Sequence, residues 1–194
     1  MNLSQIYEIS GVRRLPVDPV EIARSLGIKV VSYKSASEFF KTEPNELYTR
    51  CPLGFSFKEG GERCIALNEN ACGEQRRRFT AAHELAHCIL GHLDGKVLTK
   101  RQEHDAEHFA AELLAPLVVL HKCGVSSAPE IARICGISQK ASAVRLSELA
   151  AREQHRFCPT EDERRTAMVF REFTDSYAAK RGIGYRRNLY ISIC

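Results

Sequence analysis

Residues Arg76 to His92 read RRRFTAAHELAHCILGH and enclose the run His83-Glu84-Leu85-Ala86-His87. On a helix, residues four apart share a face, so His83 and His87 are placed to hold one metal ion between them. Glu84 lies about 100° further round, where its carboxylate can take a proton from a water that the ion activates. This is the HExxH arrangement of a zinc hydrolase. Five residues also recur by chance, and the plainer alternative is an amphipathic helix with two partly buried histidines. Here Phe79, Ala82, Ala86, Ile89 and Leu90 form an apolar stripe, with both histidines along its Ala86/Leu90 side. Unpaired buried imidazoles cost about 1–3 kcal/mol each, and a shared metal satisfies both.

A catalytic zinc (Zn2+) needs a third protein ligand and one position left for water. After a short link, Leu93 to Leu98, Thr99-Lys100-Arg101-Gln102 reads as a capping box opening a second helix, which stops at Pro116. Its core face is Ala106, Phe109, Ala110, Leu113 and Leu114. Glu103 and Glu107, one turn apart, share a stripe with Ala106 and Ala110, so a carboxylate there reaches the HExxH helix if the two helices pack antiparallel. Glu103 is the preferred ligand and Glu107 the partner that orients a histidine, although helix spacing alone does not order the two. His92 fails the HExxHxxGxxH pattern, whose glycine and histidine places are held by Leu90 and Leu93. His104 and His108 point away from the glutamate stripe.

Before the metal helix, Pro16 to Gly27 reads as a short helix, capped by Asp18, opened by Pro19 and ended by Gly27. Ile28 to Tyr33 alternates as a half-buried strand. Residues 34–50 are mixed and polar, and no element is assigned to them. Gly54–Phe57 and Cys64–Asn68 read as two strands around the turn Glu59-Gly60-Gly61-Glu62. Such a hairpin beside a metal helix serves equally well to receive a substrate strand along its edge or merely to cover the core.

The 194 residues allow one sizeable core or one domain with a small appendage. A formal net charge of +4, with 44% apolar and 27% charged residues, is ordinary for a globular protein and does not by itself imply nucleic acid. The basic run Arg76-Arg77-Arg78 points in three directions round a helix, so it reads as a solvated start or as partners of nearby acids. No run approaches the roughly 18 apolar residues of a membrane span, and MNLSQIYEIS lacks the pattern of a secretory signal. The eight cysteines include no CxxC pair. They are read as reduced thiols, mostly small core residues, which places the protein in the cytoplasm. Cys88 is rotated off the ligand face.

Taken together, PVDPVEIARSLGI, the strand at Ile65–Asn68, RRFTAAHELAH and the run E-x-D-A-E-x-F-A-A-E-L-L-A-P resemble the ImmA/IrrE family of zinc metallopeptidases. The resemblance covers roughly Val12 to Leu149. It implies that His83, His87 and Glu103 bind zinc and that Glu84 is the base. It also implies a mainly helical α+β, zincin-like core with a small antiparallel sheet. The implied role is to cleave a helix-turn-helix repressor, so switching on phage, mobile-element or stress genes. Asp105 stands where glutamate is frequent and Ala115 where methionine is common; neither touches a proposed ligand.

APEIARICGISQKASAVRLSELA, residues 128–150, has a helix-turn-helix outline turning at Gly136, with Ser138 capping its second helix. Ser138, Gln139 and Lys140 are placed to reach bases, but few basic residues are there to grip phosphates. The resemblance places such a pair inside the family's fold, so direct DNA contact is the lesser reading. Residues 1–150 are therefore expected to form the peptidase domain, helix-turn-helix segment included. Residues 151–194 form a basic, partly helical extension, in which Phe170, Phe173 and Tyr177 mark one more amphipathic helix.

Overall fold

The computed structural model describes residues 1–71, 73–94 and 97–181. In chain order the elements are α1 (Leu3–Ser10), α2 (Pro19–Ser25), β1 (Lys29–Ser32), α3 (Tyr33–Phe40), α4 (Pro44–Arg50), β2 (Gly54–Glu59) and β3 (Glu62–Leu67). The metal helix α5 (Glu74–Leu90) and a 3-10 turn (His92–Asp94) follow. Then come α6 (Lys100–Leu114), α7 (Leu117–Cys123), α8 (Ala128–Cys135), α9 (Gln139–Gln154), α10 (Glu161–Val169) and α11 (Arg171–Lys180). This is the expected mainly helical α+β class.

Local chemistry explains most boundaries. Asp18 accepts from Val20 N at 2.9 Å and Pro19 opens α2. Thr99 and Gln102 cap α6 reciprocally, and the helix ends before Pro116. Gly60 and Gly61 both have positive φ, at 57° and 88°, which glycine tolerates and a two-residue hairpin turn demands.

The unassigned stretch 34–50 contains two helices, α3 and α4. Their main contacts are aromatic rings that a polar average conceals, with Tyr33 stacked on Tyr48 at 5.0 Å. The three-stranded sheet runs β1-β3-β2. The hairpin β2–β3 is antiparallel as expected, whereas β1 pairs parallel to β3, so the sheet is mixed. The crossover through α3 and α4 makes a parallel return possible. Both β1 and β2 are edge strands.

One main core joins the N-terminal helix, the metal helix and the C-terminal helices. Tyr7 is fully buried, donates to the Leu113 carbonyl at 2.8 Å, and meets Phe170 edge-on at 4.9 Å. Each such buried aromatic or aliphatic side chain contributes about 1.5–3 kcal/mol. Phe173 and Tyr177 lie on α11, whose N-cap is the buried Phe170, as expected of one amphipathic helix; α10 precedes it, and the three rings pack into or against the same core. Residues 182–194 lie outside the described residues. On α5 the buried stripe is Ala81, Ala82, Leu85, Ala86 and Cys88, whereas Phe79 and Leu90 are exposed. Leu85 displaces them because it faces the core while they flank the histidines. The described cysteines are free thiols, and burial pushes those of Cys88, Cys123 and Cys135 up to about 12.

The pair α8–α9 follows the helix-turn-helix outline, with Gly136 at φ 64° and Ser138 accepting from Ala141 N at 3.1 Å. Its second helix is anchored to the body. Arg145, 4% exposed, donates from Nε and Nη2 to the Ala115 carbonyl at 3.0 and 2.7 Å, and pairs with Glu112 at 2.6 Å. Arg78 pairs with Glu74 at 2.7 Å and packs against the turn: a Cβ on Gly136 would stand 2.0 Å from Arg78 Nη1. Gly136→Ala is therefore expected to destabilise the protein by about 1–2 kcal/mol through its left-handed backbone, with the Arg78 clash added. Chemical denaturation of Gly136→Ala and of Gly136→Ala/Arg78→Ala separates the two; equal stability to the parent would refute both contributions.

Candidate metal centre

His83 and His87 project from successive turns of α5, and Glu103 enters from the first turn of α6, which packs against it. His83 Nε2 is 3.1 Å from His87 Nε2 and 3.2 Å from Glu103 Oε2, and His87 Nε2 is 3.7 Å from the same oxygen. Donors held 2.0–2.1 Å from a tetrahedral ion stand about 3.3 Å apart, so this triangle has the size of a zinc face. Among the described residues it is the only cluster of three or more His, Cys, Asp or Glu donors within reach of one ion.

The electrostatics also favour a cation. Burial, then the neighbouring His83, lowers His87 to about 4, so its imidazole is neutral and carries a lone pair at neutral pH. Its Nδ1 lies 3.0 Å from His92 Nδ1. If His87 donates in that bond, its Nε2 is left unprotonated and aimed at the triangle.

His92 therefore occupies the orienting position that the sequence assigned to Glu107. Glu107 is exposed and forms no hydrogen bond or ion pair among the described residues. Spacing did not reveal His92, because the 3-10 turn after Gly91 swings it back under α5. His92→Phe is expected to weaken metal binding about 10–100-fold, as removal of an outer partner does. Competition with a chromophoric chelator measures this, and an unchanged affinity would dismiss the role. His104 and His108 face an open cavity of about 490 Å³ on the other side, shared with His92 and Leu90.

Glu84 is turned out of the triangle. Its Oε2 accepts from the Ser56 hydroxyl of β2 at 2.8 Å, and burial raises its pKa above the ordinary glutamate range, with the Ser56 bond opposing that shift. Close packing brings β2 there: a Cβ on Gly54 would stand 2.7 Å from Thr80 Cγ2. Two histidines, one glutamate and a second, unligated carboxylate make a set suited to hydrolysis.

The family model of the Peptidase_M78 group, the IrrE N-terminal-like domain, matches residues 24–147. The chain belongs to this family. No curated protein matches it. The Peptidase_M78 match runs from α2 into α9, so it takes in the sheet, both helices of the metal centre and most of the α8–α9 pair. Membership in Peptidase_M78 supports a metallopeptidase-type function. Among the described residues, no helix is long and apolar enough to cross a membrane.

Proposed function

We propose that the protein is a zinc-dependent endopeptidase that cleaves a helix-turn-helix transcriptional repressor and so derepresses phage, mobile-element or stress genes. The observation that carries the enzymatic part is the His83–His87–Glu103 triangle with Glu84 unligated beside it. These three residues would hold the ion. When bound, zinc polarises the scissile carbonyl and lowers the pKa of its water to about 7. Glu84 would accept the water proton and deliver it to the leaving amine, base first and acid second. The edge of β2 aligns an extended substrate segment by backbone pairing.

The regulatory target rests on the ImmA/IrrE resemblance, and the cytoplasmic location on the cysteines read as reduced thiols. The buried Arg145 anchor supports a structural rather than a DNA-reading part for α9. The test compares new protein amino termini in host cells expressing wild type or Glu84→Gln, after equal folding and metal content are established. New termini in one transcriptional regulator, absent with the variant, are expected. An intact regulator in stable complex with metal-loaded wild type would instead establish sequestration. No difference under stress or at rest would overturn the reading.

A further inference from the structure

The strand that carries Ser56 has two faces. Gly54, Ser56 and Lys58 look toward the metal helix: Gly54 abuts Thr80, Ser56 bonds Glu84, and Lys58 pairs with Asp94 beyond the end of α5. Phe55 and Phe57 look the other way, where α3 lays Phe39 and Phe40 on them. Phe57 lies 5.5 Å from Phe39 and 5.0 Å from Phe40, ring centre to ring centre.

This aromatic face is unfinished on one side. Over the central strand it is sealed, with Ala66 and Tyr33 fully buried. Toward β2 it opens, and Phe39 and Phe40 are 42% and 44% exposed. Apolar surface left at a sheet edge is completed by whatever strand pairs there.

Hairpin geometry gives the register. Glu59 and Glu62 close the two-residue turn, and Asn68 N donates to the Leu53 carbonyl at 3.0 Å, so alternate residues 53, 55, 57 and 59 bond inward to β3. Gly54, Ser56 and Lys58 are left with their backbone groups turned to the open edge. A peptide paired there places the residue opposite Ser56 on the Glu84 side. Its two flanking residues fall on the aromatic side, because side chains alternate.

We propose that Phe39, Phe40 and Phe57 form a specificity shelf that selects large apolar side chains at the substrate positions flanking the residue paired with Ser56. The occupant is an extended peptide segment of the substrate, and the proposal rests on the peptidase reading only for the direction from which that segment arrives. One strand carries both Phe57 of the shelf and Ser56, which bonds Glu84 beside the triangle, so a segment docked on its edge runs past both.

A synthetic random decapeptide library, panned against immobilised zinc-loaded Glu84→Gln protein, reads binding without turnover. Recovered peptides are expected to carry Phe, Leu, Ile or Met at two positions separated by one residue, enriched on the order of fivefold. Phe39→Ala/Phe40→Ala in the same background should erase that enrichment. Phe40→Glu should replace one apolar position by Lys or Arg, a gain of preference that unfolding does not produce. No enrichment with the parent, or the same enrichment with all three proteins, would overturn the shelf. If the recovered peptides show the pattern but wild type fails to cut them, the shelf stands and the peptidase reading falls.

Discussion

Glu84→Gln is expected to lower the rate of peptide-bond hydrolysis by about 10³-fold, the middle of the range for losing a general base. Metal content is expected to stay at the parent level. The substitution keeps the size of the side chain and its bond to the Ser56 hydroxyl, because an amide oxygen accepts as a carboxylate oxygen does. It removes the carboxylate to which the proposed mechanism assigns the water proton. Burial above all other causes raises the Glu84 pKa, so the neutral amide is tolerated in its place and folding is not expected to suffer. The measurement is a single-turnover rate on a cleaved peptide, beside zinc content by elemental analysis and a thermal melt. A variant that retains full zinc and full rate would remove Glu84 from the chemistry.

The second large effect separates two glutamates one turn apart. Glu103 Oε2 lies 3.2 and 3.7 Å from the two histidine nitrogens, whereas Glu107 is exposed with no polar partner among the described residues. Glu103→Ala is expected to weaken zinc binding by more than the roughly 100-fold that losing an outer partner costs, because it deletes one of three donors and the only negative one. Glu107→Ala should leave affinity unchanged. Both are read from the same chelator competition at fixed pH. Retention of zinc by Glu103→Ala, with loss in Glu107→Ala, would reverse the assignment.

What was legible in the sequence was local. The HExxH run on a helix, the Thr99/Gln102 capping box, the stop at Pro116, the two-glycine turn and the Gly136 turn all depend on spacings of a few residues, which periodicity and cap chemistry read directly. Glu103 was within reach of the same logic, since it shares a stripe with Ala106 and Ala110. The N-terminal helix carries a local signal too, the Asn2/Gln5 capping box, but its eight residues are too short for a period to stand out. Residues 34–50 carry no assignment because each helix is only seven or eight residues long and its rings pack across elements, Tyr33 on Tyr48 and Phe39 and Phe40 on Phe57, contacts that no run of that length encodes.

The sequence by itself thus marked the candidate donors His83 and His87, the carboxylate Glu84 and the helices that carry them, because ligand spacing repeats with the helical turn; only the packing of α6 on α5 brought Glu103 rather than Glu107 to the histidines. Only the tertiary structure decided the surroundings. Ser56 meets Glu84 across 28 positions of chain, His92 returns to His87 through a 3-10 turn, and Phe170 closes on Tyr7 from the far end of the molecule. Those contacts join separate elements whose packing no local period encodes. They also leave the aromatic face at β2 open: Phe39 and Phe40 stay 42% and 44% exposed, and among the described residues no strand pairs beyond β2.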